Sequence, residues 1–144
     1  MQIKYSALIL IFAVVLPGCS ALTSSPPVPI QLKQANDLFI QGELTQAEAL
    51  YRQLLKQSTG LSIAWFQLGN IYVRTHQLEV ATKAFKKAIH INPNEERYWI
   101  NLVLAQMKQA ESNLATARQY HPQSARLNRL NNHLIQRSHE SDLK

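Results

Sequence analysis

The chain has 144 residues, 46% of them apolar, with one cysteine and a formal charge of +6. That length holds one small domain or a short repeat array, and the apolar share excludes a chain disordered throughout. A lone cysteine excludes an internal disulfide, and cations scattered without a run of five, with no aromatic stacking motif beside them, suit a solvated helical surface rather than a nucleic-acid partner.

Lys4 and the apolar run Tyr5 to Leu16 begin the chain in the manner of an export signal. The run is too short for a bilayer span, which takes roughly 20 residues. Residues 1–18 are therefore expected to be a signal peptide. Leu16-Pro17-Gly18-Cys19 follows. It resembles the lipobox of bacterial lipoproteins, in which a diacylglycerol is attached to the cysteine sulfur and the chain is cut before that cysteine. Leu16 and Gly18 fit that family, whereas Pro17 departs from the small or hydroxylated residue usual there. The resemblance implies a covalent lipid on Cys19. In a two-membrane bacterium, Ser20 after it implies sorting to the outer membrane, with the folded part facing the periplasm. A signal cut after Ala21 is the alternative.

Residues 19–29 read as the lipidated cysteine and a tether. Ser20 to Pro29 is SALTSSPPVP, about 30 Å when extended, and Pro26, Pro27 and Pro29 oppose an early helix start.

Residues 62–95 carry Trp65, Leu68, Gly69, Tyr72, Ala81, Phe85, Ala88 and Pro93. Trp65, Leu68, Gly69 and Tyr72 share one face of a first helix, and Ala81, Phe85 and Ala88 form the stripe of a second. A glycine inside a helix costs about 1 kcal/mol relative to alanine, so Gly69 needs a packing reason. Asn92-Pro93 ends the second helix. A weaker copy lies 34 residues earlier, over residues 28–61, with Ala35, Leu38, Ala47, Tyr51 and Leu54 at matching positions and Gly42 in the turn. Gln31 replaces the tryptophan, which predicts a less buried first repeat.

The third copy, residues 96–122, is partial. Trp99 and Leu102 follow Trp65 and Leu68 by 34 residues, while Ala110, Leu114 and Ala117, counted back from Pro122, match the second-helix stripe. The two registers disagree by five residues, so the internal turn is shortened. Two helices bending near Glu111 and Ser112 are expected. One continuous helix is the alternative, since no Gly or Pro lies between Asn94 and His121. Residues 123–138, with Leu127, Leu130 and Leu134 and an N-cap at Ser124, read as a capping helix, and 139–144 as a frayed tail.

The 34-residue pattern resembles the tetratricopeptide repeat, most strongly in the central copy. The resemblance implies an all-α helix–turn–helix array of about two and a half to three repeats with a C-terminal capping helix. It also implies a protein-binding scaffold and no enzyme. Partners of this family usually lie along a groove lined by the first helices. Carried over, those positions are Leu32, Asn36, Phe39 and Ile40; Phe66, Asn70, Val73 and Arg74; and Arg97, Ile100, Asn101, Leu104 and Met107, with sealing of the neighbouring packing as the alternative role for Phe39, Ile40, Leu104 and Met107. One subtype grips a peptide carboxylate with basic residues and asparagines. Asn36, Arg97 and Asn101 fall at such positions, but Leu32 stands where a lysine is expected.

The five histidines have no metal-ligand spacing, and neither a phosphate loop nor a nucleophile elbow is present. No cofactor, metal or small-molecule substrate is therefore expected beyond the covalent lipid. The expectation is a membrane-anchored adaptor holding a protein or peptide segment of an envelope complex. By likeness of layout it would serve pilus or secretin assembly. The alternatives are peptidoglycan synthesis, outer-membrane protein assembly, or a self-associating structural subunit.

Overall fold

The structure, a computed structural model, describes residues 26–141, with side chains through Gln136. The signal segment, Cys19, most of the tether and the end of the tail lie outside the described residues. Six helices follow in order: α1 Val28–Gln41, α2 Leu44–Gln57, α3 Ser62–Arg74, α4 Leu78–Ile91, α5 Glu96–Tyr120 and α6 Ala125–Ser141. Among the described residues no helix is long and apolar enough to cross a membrane.

The first two hairpins are copies. Each first helix ends on a residue with left-handed backbone, Gly42 at φ 86° and His76 at φ 59°, 34 positions apart. There Glu43 N donates to Leu38 O at 2.9 Å and Gln77 N to Tyr72 O at 2.7 Å, satisfying carbonyls that the helix end would otherwise orphan. Glycine takes this conformation freely, whereas in His76 it carries strain.

The hairpins close on a shared core. Tyr51, Leu54, Ala47 and Ala35 are fully buried in the first repeat, and Ala81, Phe85 and Ala88 in the second. Gly69 explains the tightness of the second hairpin. A Cβ at that position would overlap the Phe85 ring, meeting Cζ at 2.8 Å. Phe66 then stacks between Phe85 and Tyr98, with ring centroids 5.8 and 4.8 Å away, linking α3 to α4 and α5.

Four expectations need correction. Val28 and Pro29 belong to the first turn of α1 and not to the tether; a proline there gives up no helical hydrogen bond, and its fixed φ suits the turn. Gln31 is buried, 2% exposed. Its amide is satisfied, donating to the Pro26 carbonyl and accepting from Gln57 Nε2 at 3.3 Å, so a polar side chain can occupy an inner position. Residues 96–120 form one helix with no bend into two. The position 34 beyond His76 is Ala110, the best helix former, which would be strained in the left-handed turn its two predecessors make. Finally, α6 runs past His139, where the tail was expected to begin, to Ser141. Ser124 Oγ accepts from Leu127 N at 3.4 Å, in the N-cap position the sequence predicts.

Candidate functional site: an amide ladder across the first helices

The first helices of the three repeats, α1, α3 and α5, are joined by a chain of side-chain amides. Asn101 Nδ2 donates to Asn70 Oδ1 at 2.8 Å, Asn70 Nδ2 to Gln67 Oε1 at 2.9 Å, and Gln67 Nε2 to Asn36 Oδ1 at 3.3 Å. Tyr51 Oη, reaching in from α2, donates to the same Asn36 oxygen at 2.6 Å, and burial pushes the Tyr51 hydroxyl well above its usual pKa. Every donor points the same way along the ladder, an arrangement in which each bond polarises the next. Asn36 Nδ2 and Asn101 Oδ1 make no hydrogen bond among the described residues. The ladder thus ends in one free donor and one free acceptor.

Beside it lies a cavity of about 290 Å³. Phe39, Val73, Phe85, Leu104 and Ala105 form its apolar part, and Asn70, Asn101, Arg74 and Lys108 its polar part. Arg74 is held in place: its Nη1 donates to Phe39 O at 3.1 Å and its guanidinium lies 5.1 Å from the Phe39 ring centroid. No acidic side chain neutralises it among the ion pairs of the described residues. An apolar trough with a fixed cation and backbone-like amides suits an amphipathic helix or an extended segment.

Of the groove residues read from the sequence, Phe39, Asn70, Val73, Arg74, Asn101 and Leu104 line this cavity, and Asn36 joins it through the ladder. Phe66 does not. It is 7% exposed and serves the core, so it cannot be a contact residue. Leu32 packs partly buried against the core. Arg97 is exposed but occupied: it grips Glu95 through two hydrogen bonds at 2.8 and 3.1 Å, and that bond holds the Glu95 carboxyl below its usual pKa. Ile100 is 48% exposed. Cys19 lies outside the described residues.

Gln67 and Lys108 were missed. The signal for Gln67 is its position, 34 residues before Asn101 and three before Asn70. A second cavity, about 570 Å³, was missed as well. It lies against the second helices α2 and α4, with Trp65, Leu68 and Val80 as floor and Arg52, Lys56, Lys83 and Lys87 at its edge. Trp65 is accordingly only half-buried, with its indole donating to Thr59 O at 3.3 Å. At this edge Arg52 donates to Glu48 at 2.8 Å and to the Tyr72 hydroxyl at 2.8 Å. Burial and the hydrogen bond to Glu48 raise the Tyr72 pKa. Among the described residues no group of three or more His, Cys, Asp or Glu could hold a metal ion.

Residues 38–106 match the tetratricopeptide repeat family. The fold is that of a tetratricopeptide repeat array. Solved structures agree at the level of fold. The first such domain of Spaghetti (RPAP3), bound to the HSP90 peptide SRMEEVD, is 14% identical with a TM-score of 0.55, covering 78% of this chain and 94% of that one. The Yersinia enterocolitica type III secretion chaperone SycD, in complex with a peptide of the translocator YopD, is 16% identical with a TM-score of 0.55, covering 78% and 90%. The Sgt2 domain from Aspergillus fumigatus is 19% identical with a TM-score of 0.55, covering 83% and 84%. By sequence, 74 residues are 30% identical to the transcription factor tau 131 kDa subunit of Saccharomyces cerevisiae. That match takes in 51% of this chain and 7% of the yeast subunit's length.

Proposed function

We propose that the protein is a non-enzymatic adaptor, held on the bacterial outer membrane by a lipid on Cys19, whose repeat groove grips a segment of a partner protein in an envelope complex. Pilus or secretin assembly is the process favoured. The observation that carries the adaptor reading is the amide ladder with its free ends, set beside the trough that Arg74 edges. A peptide laid across α1, α3 and α5 finds a donor and an acceptor for its backbone, apolar surface at Phe39, Val73 and Leu104, and a cation for an acidic side chain or terminus. Two of the similar solved structures hold peptides of partner proteins, which supports a peptide-sized occupant. The anchor rests on the Leu16-Pro17-Gly18-Cys19 motif, and the tether supplies reach. Confinement on a membrane raises the effective concentration for a weak contact.

The test is cross-linked capture from envelopes, comparing the parent chain with Arg74→Glu and Asn70→Ala/Asn101→Ala. Both variants are expected to lose the same partner, with helical content by circular dichroism unchanged. Equal capture by all three would refute the groove. Cys19→Ala is expected to release the protein from membranes, and unchanged retention would refute the anchor.

A further inference from the structure

The cavity of about 570 Å³ shares no residue with the groove. α3 packs against both α2 and α4, so its outer side chains floor a furrow that those two helices wall. On α4, Val80, Lys83, Ala84 and Lys87 lie on one helix face, and the small Ala84 among them gives the furrow depth. The deepest surface is apolar: Leu68 is 2%, Ala84 3% and Leu55 7% exposed, behind a rim of cations. The polar groups inside already have partners. The Tyr72 hydroxyl donates to Glu48 Oε1 at 2.8 Å and accepts from Arg52 Nη2 at 2.8 Å. The Trp65 indole N–H is held by Thr59 O, which leaves its ring to the furrow. Charge at the rim is unbalanced. Arg52 pairs with Glu48 and Lys83 with Glu79, each at 2.8 Å along its own helix. Lys56 on α2 and Lys87 on α4 have no ion pair or hydrogen bond among the described residues.

We infer that this furrow is a second docking site, which takes an acidic segment of a partner protein. One aromatic or branched apolar side chain of that segment enters over Trp65 and Leu68, and carboxylates on either side of it pair with Lys56 and Lys87. Apolar burial supplies the affinity, and the two unpaired cations select the charge of the occupant. The recess favours a protruding side chain over an anionic bilayer. A flat lipid surface meets the lysine heads but does not reach Leu68 and Ala84 behind them. α3 serves both sites from opposite sides, with Asn70, Val73 and Arg74 towards the groove and Trp65, Leu68 and Tyr72 towards the furrow. The furrow requires neither the groove nor the lipid anchor, so it stands or falls apart from the adaptor reading.

Trp65 reports on the site directly once Trp99, the other tryptophan, is replaced by Trp99→Phe. The probe is a blocked peptide, Glu-Glu-Phe-Glu-Glu, titrated into the full chain as purified from cells. A saturable change in Trp65 emission is expected, weakening as salt is raised. Lys56→Glu/Lys87→Glu is expected to lower the affinity about tenfold, with helical content by circular dichroism kept, since both side chains are exposed. Gln-Gln-Phe-Gln-Gln, without charge, and Glu-Glu-Ala-Glu-Glu, without the ring, are each expected to bind more weakly. Arg74→Glu, on the groove side, is expected to leave the titration unchanged. No response to the acidic peptide, or the same affinity in the lysine variant, would overturn the inference. So would an equal loss in Arg74→Glu, which would seat the peptide in the groove. A response to phosphatidylglycerol vesicles with none to the peptide would assign the furrow to a lipid surface and overturn it too.

Discussion

The second and third repeats start from related sequences and reach different ends. In the second, a strained residue at His76 turns the chain, α4 returns along α3, and Phe85 settles over Gly69. In the third, Ala110 stands at the turn position and the helix continues, leaving Trp99 and Val103 about half exposed. Both tryptophans still make the same contact with the loop before their helix, Trp65 to Thr59 O and Trp99 to Pro93 O at 2.8 Å. The entry to the repeat is thus conserved in geometry while its closure is lost. A repeat signature specifies faces; whether those faces meet within one chain depends on a turn of very few residues.

The difference can be broken by substitution. Phe85→Ala is expected to cost about 3–5 kcal/mol in chemical denaturation, because the ring fills the closed hairpin. Trp99→Ala should cost a small fraction of that. Equal costs would mean that Trp99 is covered within the chain. Gly69→Ala is expected to cost about 1–3 kcal/mol through overpacking against Phe85, while Val103→Ala stays within roughly 0.5 kcal/mol of the parent. His76→Gly should stabilise by about 1 kcal/mol by relieving the left-handed backbone, whereas Ala110→Gly should destabilise by about 1 kcal/mol as a helix-interior change. A gain at Ala110 would place a turn there.

The smallest effect concerns pH. Tyr51 and Tyr72 are buried with raised pKa values, so their contribution is intact below about pH 10, where unfolded tyrosine ionises, and is lost as pH rises towards their folded values. Tyr51→Phe should flatten the loss of stability above pH 10, read from denaturation midpoints across that range.

Much of the fold was legible because packing periodicity survives in a single sequence: Leu68, Tyr72, Ala81 and Phe85 repeat at helical spacing and are buried. The site was less legible. Asn36, Asn70 and Asn101 could be placed by position, but their bonding through Gln67 depends on where neighbouring helices set their amides. Phe66 occupies a groove position in the repeat and yet turns inward, because Tyr98 and Phe85 offer its ring a better surface than water does. Arg74 and Arg97 look alike in sequence. Each lies over a ring, Arg74 over Phe39 and Arg97 over Phe66, but only Arg97 is paired with a carboxylate, that of Glu95.

The amino-acid sequence determined the helical repeat, its 34-residue period and the repeating part of the core, since these follow from local spacing and from side-chain size. It also placed Cys19 in its lipoprotein-like motif. Only the tertiary structure decided that α5 runs unbroken, that Gln31 and Phe66 are interior, and that the amides join into one ladder. Those outcomes turn on small differences between competing arrangements: a helical or left-handed Ala110, a ring facing protein or solvent, an amide bonded to a neighbour or to water. No residue settles such a balance alone; its packed neighbours do.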